Sequence, residues 1–127
     1  MIDHISLSVR DIGASTRFYR AVLAPLGYAC LKESAERSAF GKSYPELWLN
    51  ARPGMAPVAP DTGAHICLRA RREEDVRTFH ARALEAGGTC DGPPGMRAAM
   101  MVDYYAAFIR DPDGNRLEAM TVPRPAG

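Results

Sequence analysis

Two histidines and one glutamate are the side chains whose types and positions best fit metal chemistry in this sequence. His4 and His65 occupy the same place in two segments, 3–9 and 64–70, which align without a gap at an offset of 61 residues. Glu118 stands in an otherwise apolar stretch near the C-terminal end. Two imidazoles and a carboxylate can hold a divalent cation and leave positions open for a substrate. The residues therefore predict a metal site, with histidines that line a metal-free cleft as the alternative.

The elements that must position these side chains repeat between the two halves of the chain. Each half is predicted to form a strand, a helix and about three further strands. Helical spacing of apolar residues after Asp11, a typical N-cap, marks the first helix, and the acidic run 73–75 starts the second. The predicted ranges of the first half are 2–9, 11–24, 28–33, 36–41 and 45–50. Those of the second half are 63–70, a helix from 73 to 87–88, a loop at 91–95, and strands at 104–110 and 116–122.

These elements predict a single domain over 1–122 that consists of two modules. Module one covers about 1–52 and module two about 63–122. The segment 53–62 between them is rich in proline and reads as an extended linker. The tail at 123–127 is expected to be mobile.

Composition excludes several classes of protein. The chain has 127 residues, a formal net charge of +1, and interspersed basic and acidic residues, which gives no electrostatic case for nucleic acid or an anionic membrane. Its apolar stretches are too short to span a bilayer, and its first residues lack the pattern of a signal peptide. Three cysteines without a C-x-x-C spacing favour a reducing compartment, so a cytoplasmic location is predicted.

Four motifs give the chain a family resemblance when taken together and in order. They are Asp3-His4-Ile5-Ser6-Leu7, Phe18-Tyr19 ahead of Leu26-Gly27, Gly63-Ala64-His65-Ile66, and Asp111-Pro112-Asp113-Gly114-Asn115 ahead of Leu117-Glu118. In these features the sequence resembles the vicinal oxygen chelate superfamily, which contains glyoxalase I, the bleomycin-resistance proteins and the extradiol dioxygenases. The resemblance implies an α+β fold in which two βαβββ modules, in a pseudo-twofold arrangement, form a curved mixed sheet around a cleft.

The resemblance also implies a ligand set. It carries His4, His65 and Glu118 over as metal ligands, and Glu46 stands where the glyoxalase I branch has a fourth. The expected function is a glyoxalase-like, metal-dependent enzyme of lyase or isomerase type that acts on a small oxygen-chelating substrate, with Glu46 or Glu118 as the general base. Zinc, nickel, manganese and iron(II) are all compatible with mixed nitrogen and oxygen ligation.

Two alternatives accompany this expectation. A ligand-sequestering protein of the bleomycin-resistance type would use the same cleft without chemistry. An extradiol-type Fe(II) dioxygenase would use three ligands and keep sites open for oxygen. The resemblance implies a homodimer in every case, but whether the cleft forms within one chain or between two is left open.

Further residues are predicted to line the substrate cleft. Cys67 and Arg69 share the strand face of His65, because side chains alternate along a strand. Trp48, Tyr104 and Tyr105 could wall the pocket, with packing in the core or in an interface as the alternative.

Overall fold

The computed structural model describes residues 1–123, so most of the predicted mobile tail lies outside the described residues. The first half contains β1 (Ile5–Val9), α1 (Ile12–Leu23), a 3-10 turn (Ala24–Leu26), β2 (Ala29–Glu33), β3 (Arg37–Gly41) and β4 (Leu47–Ala51). The second half contains β5 (Ile66–Arg69), α2 (Glu73–Glu85), β6 (Thr89–Arg97), β7 (Tyr104–Arg110) and β8 (Arg116–Thr121). Each half therefore has the predicted order of strand, helix and three strands.

The strands form two mixed sheets of four strands each. Their orders are β1-β4-β3-β2 and β5-β8-β7-β6, with the first pair parallel and the others antiparallel in both sheets. The α+β class and the two repeated modules are thus confirmed. In residues 1–123, no helix is long and apolar enough to cross a membrane.

The helices pack against the inner faces of both sheets and against each other. The carboxylate of Asp11 caps α1 by accepting from the backbone N–H of Ala14 at 3.0 Å. Phe18 and Tyr19 of α1 meet edge to face, and both are fully or almost fully buried. From α2, Val76 and Phe79 enter the same core. Each sheet is therefore left with one face turned away from the core, which we call its open face.

One predicted loop is part of a strand. Residues 91–95, with two adjacent prolines, lie inside β6, and the pairing of β6 with β7 shifts its register between Cys90 and Gly92 and again between Gly92 and Gly95. The prediction was wrong because β6 is the outer strand of its sheet, where proline needs no hydrogen-bond partner on the free side.

A polar turn from module two fastens the two modules together. The carboxylate of Asp111 accepts from the hydroxyl of Tyr19 on α1 at 2.6 Å and from the side-chain amide of Asn115 at 2.9 Å. The next acid in the turn, Asp113, accepts from Nε of Arg10, just beyond β1, at 2.7 Å. Gly114 completes the turn with a φ of 92°, a conformation that favours glycine. We call residues 111–115 the locking turn.

Because His80 is partly buried, we expect the protein to lose stability in acid. Among the described residues, its Nε2 is buried and has no hydrogen-bond partner, and burial lowers the pKa of the imidazole. The unfolded chain therefore takes up the proton more readily, and stability should fall as the pH drops below about 6.5. We expect His80→Leu to show a weaker loss between about pH 7.5 and 5. The midpoints of urea unfolding, measured for both proteins across this pH range, test the prediction. An equal change of midpoint with pH in the parent and in His80→Leu would contradict it.

Candidate metal centre

The strongest feature of the open face of the second sheet is a contact between His65 and Glu118. Nε2 of the imidazole lies 3.0 Å from Oε1 of the carboxylate. Glu118 is held in β8 by the parallel register that sets it beside Cys67 of β5. The Glu118 side chain is only 5% exposed, whereas that of His65 is 42% exposed. A buried carboxylate must be paired or bound to a cation, and here its neighbour is an imidazole that solvent can reach.

The second nitrogen of this imidazole also faces an acceptor. Nδ1 of His65 lies 3.3 Å from the carbonyl oxygen of Gly63. A neutral imidazole carries one N–H and can donate to only one of two acceptors. A divalent cation between Nε2 and the Glu118 carboxylate would satisfy both contacts. A proton on Nδ1, held by a carbonyl, leaves Nε2 as a ligand, an arrangement common in metal sites. The donors thus fit a divalent metal.

His4 is oriented in a comparable way in the first sheet. Its Nδ1 lies 2.7 Å from Oδ1 of Asp3, and the hydroxyl of Tyr44 donates to both oxygens of the same carboxylate at 3.2 Å. Hydrogen bonds from His4 and Tyr44 lower the pKa of Asp3, so this carboxylate is ionised and acts as an acceptor at neutral pH. With Nδ1 engaged, Nε2 of His4 is free to bind a ligand.

The surroundings of His4 lie on the open face of the first sheet. A pocket of about 530 Å³ is lined by His4, Ser6, Trp48 and Asn50, among others. Ser6 pairs with Trp48 in the parallel register of β1 and β4, which sets both residues on this face. Nζ of Lys32 lies 5.8 Å from the centre of the Trp48 ring.

Within one chain the three predicted ligands do not meet. Among residues 1–123 no group of three or more histidine, cysteine, aspartate or glutamate side chains is placed to hold a metal. His65 and Glu118 form a pair, whereas His4 directly precedes β1 of the other sheet. A single copy therefore supplies two ligands at one place and a third at another.

Within one chain Glu46 lies near His4 and not beside the His65–Glu118 pair. It directly precedes β4, and its N–H donates to the carbonyl of Phe40 at 2.9 Å. It lines a second pocket of about 220 Å³ with Tyr28 and Leu68, and His4 borders this pocket too. Burial, followed by the charge of Glu46, raises the pKa of Tyr28.

The predicted cleft residues of module two divide between the faces of β7. Tyr104 lies on the side of Glu118, whose charge, after burial, raises the pKa of this tyrosine. Tyr105 was predicted to line the same cleft, but it packs against the core and α2, where Nη1 of Arg77 donates to its hydroxyl at 3.5 Å. That prediction is wrong because neighbouring residues on a strand point to opposite faces.

Cys67 and Arg69 follow His65 at alternate positions of β5. Partial burial, with the nearby charge and hydrogen bond of Glu118, raises the pKa of Cys67 to about 12, so its thiol stays protonated at neutral pH. Arg69 is exposed and lines another pocket, described below.

Two residues that the sequence did not single out stand beside the pair. The ring of Phe108 meets that of His65 edge to face, with centroids 5.9 Å apart. The guanidinium of Arg97 lies 5.6 Å from the centre of the Phe108 ring. Alternation from Tyr104 could have indicated Phe108. Arg97 could not be assigned, because no strand was predicted where β6 lies.

Comparison with known proteins identifies the family. Residues 1–119 match the model of the glyoxalase/bleomycin resistance protein/dioxygenase superfamily, and the chain belongs to this superfamily. Its module order agrees with that assignment.

Individual relatives cover almost the whole chain. The metallothiol transferase FosB of Shouchella clausii is 30% identical over 123 residues, which are 94% of this chain and 79% of that protein. A crystal structure of a glyoxalase/bleomycin resistance protein from Albidiferax ferrireducens is 29% identical, has a TM-score of 0.82, and is matched over 93% of this chain and 96% of its own. A further structure is that of a variant of the fosfomycin resistance protein FosX from Listeria monocytogenes, complexed with Mn(II) and 1S,2S-dihydroxypropylphosphonic acid. It is 16% identical and shares the fold with a TM-score of 0.71, over 97% of this chain and 90% of its own.

Proposed function

We propose that this protein is a metal-dependent enzyme that binds a small substrate through two neighbouring oxygen atoms. The observation that carries the proposal is the 3.0 Å contact between His65 and the buried carboxylate of Glu118. Both ring nitrogens of His65 face acceptors, and a divalent cation at Nε2 would satisfy this arrangement. A divalent metal at this place would act as a Lewis acid on the substrate oxygens.

We further propose that the third ligand comes from a second copy of the chain. β1 and β5 are outer strands of their sheets, and each pairs with one neighbour among the described strands. If β1 of one copy lies beside β5 of another, His4 approaches the His65–Glu118 pair of its partner. A twofold axis would then generate two identical sites, as is usual for homodimers.

The residues of the chain would divide the work as follows. His65 and Glu118 bind from one copy, and His4, oriented by Asp3, binds from the other. On the open face of module two, the hydroxyl of Tyr104 is available to donate a hydrogen bond to a bound oxyanion. The protonated thiol of Cys67 is a weak nucleophile at neutral pH, so this residue would line the site and not attack the substrate.

The position of Glu46 bears on the type of reaction. A lyase or isomerase of the glyoxalase I type was expected to use Glu46 as a fourth ligand or base, and this residue borders the same pocket of about 220 Å³ as His4. In a shared site Glu46 would therefore arrive with His4 from the second copy. The two histidines and Glu118 leave positions open for it and for a substrate that the metal would polarise. Two relatives support activation of the substrate by a bound metal. One is a metallothiol transferase, and the other is a fosfomycin resistance protein solved with Mn(II).

Mixing two inactive variants tests the shared site. His4→Ala and Glu118→Gln should each lose bound metal as homodimers. A heterodimer of the two has one site with both defects and one site with all three ligands, so it should regain metal at about half of its sites. Differently tagged copies, co-expressed and purified as the mixed dimer, allow elemental analysis. A heterodimer as metal-poor as both parents would contradict a site shared between copies.

Ligand sequestration without metal is the second candidate. It is favoured by the observation that, within one chain, the imidazoles of His4 and His65 have carboxylate partners of their own. Metal analysis of the parent protein separates the two functions. A parent protein that is purified without a tag or chelator, contains no metal, and takes up no added zinc, nickel, manganese or iron(II) would leave sequestration as the function.

A further inference from the structure

A pocket between the end of β3 and the segment after β5 carries an excess of positive charge. The pocket has a volume of about 850 Å³ and is lined by four basic residues, Lys42, Arg69, Arg71 and Arg72, with Glu73 as the single acidic residue. We call it the basic pocket. Its walls come from both modules, because Lys42 follows β3 and the arginines follow or end β5.

Three of these four cations lack an acidic partner. Arg72 is engaged at the start of α2, where it pairs with Asp75 at 3.2 Å and with Glu74 at 3.5 Å. In the part of the chain that the structure describes, no ion pair involves Lys42, Arg69 or Arg71. Like charges gathered in a concave site repel one another and attract a multivalent anion.

The internal repeat explains why the partner is missing here. The offset of 61 residues aligns Arg71, just beyond β5, with Arg10, just beyond β1. Arg10 has an acidic partner: it donates from Nε to the carboxylate of Asp113 at 2.7 Å and from its backbone N–H to the same oxygen at 3.2 Å. That carboxylate belongs to the locking turn of the other module.

The matching connection in module one offers no carboxylate at the equivalent position. It joins β3 to β4 over residues 42–46, as the locking turn joins β7 to β8 over 111–115, and its third residue is Tyr44 where the turn has Asp113. The hydroxyl of Tyr44 donates to Asp3, and the one acid of the connection, Glu46, lines another pocket. Its first residue, Lys42, instead brings an amine into the pocket of Arg71.

We propose that the basic pocket binds the phosphoryl group of a small phosphorylated molecule at the position where the repeat lacks a carboxylate. The planar fork of an arginine matches a phosphate or carboxylate oxygen pair, and a lysine adds a point charge. Three unpaired cations favour a group with about two negative charges, which a phosphate monoester carries and a single carboxylate does not. The site is separate from the His65–Glu118 pair and does not depend on a bound metal.

Calorimetric titration of the metal-free protein tests this site. The titrants are inorganic phosphate, pyrophosphate and citrate, with a chelator present and chloride holding the ionic strength near 0.15 M. We expect phosphate or pyrophosphate to saturate one site per chain. Arg71→Gln and Lys42→Gln should each weaken binding by about ten-fold or more, because each removes one cation from the pocket.

Arg17→Gln is the matched control, since it removes one exposed arginine on α1 outside the pocket. Its affinity for phosphate should stay within about two-fold of the parent. Three results would overturn the proposal: no saturation by either phosphate below roughly 10 mM, an equal loss in Arg17→Gln, or saturation by citrate alone. Because the titration needs no metal, its failure would leave the metal-centre proposal standing, and the reverse also holds.

Discussion

Replacing Glu118 by glutamine is expected to reduce the affinity of the protein for a divalent metal by about 100-fold or more. The substitution keeps the size of the side chain but removes the carboxylate that contacts His65. Mutating a residue that only hydrogen-bonds to a metal ligand lowers metal affinity by about 10–100-fold. The loss of a charged ligand should lower it at least as much. Titration with zinc or manganese, followed by calorimetry, measures the affinity directly.

Glu85→Gln is the matched control for this substitution. It makes the same chemical change at an exposed glutamate at the end of α2, which lines neither of the pockets that His4 lines. Metal binding should therefore be unchanged. Added metal should also raise the melting temperature of the parent and of Glu85→Gln, because a ligand at about 1,000 times its Kd stabilises the folded state by about 4 kcal/mol. Glu118→Gln should show little of this rise. Equal metal affinity in both variants would remove Glu118 from the ligand set.

The repeat made much of this fold predictable. The gapless match of His4 with His65 anticipated β1 and β5, and the same offset anticipated the two helices. The predicted strand at 104–110 and the turn after it also agree with the structure. These elements are predictable because alternation and helical spacing are local consequences of burying one face.

The candidate site was only partly predictable. Alternation set Cys67 on the side of Glu118, but it did not show that Glu46 lies near His4 and away from the His65–Glu118 pair of the same chain. The separation of His4 from the His65–Glu118 pair follows from how the two modules pack, and no local pattern contains that information. The basic pocket escaped notice for the same reason, because Lys42 and Arg71 come together only in the folded chain.

Replacing Asp111 by alanine is expected to destabilise the protein by about 3–5 kcal/mol, the range seen when a buried charged partner is removed. Its carboxylate accepts from the Tyr19 hydroxyl, from the side-chain amide and the backbone N–H of Asn115, and from the backbone N–H of Asp113. Burial raises the pKa of Asp111, and these hydrogen bonds oppose that rise. Alanine leaves the donors in place without an acceptor, and the melting temperature should fall by roughly 10–20 °C.

Tyr19→Phe measures how much of this loss belongs to the contact between modules. It removes one donor and leaves Asp111 with its partners in the locking turn, so the expected cost is about 1–2 kcal/mol. The double variant should cost less than the sum of the two single variants, because both remove the same 2.6 Å hydrogen bond. Strict additivity in chemical denaturation would mean that Tyr19 and Asp111 stabilise the fold independently, and that the turn fastens to module one mainly through Arg10 and Asp113.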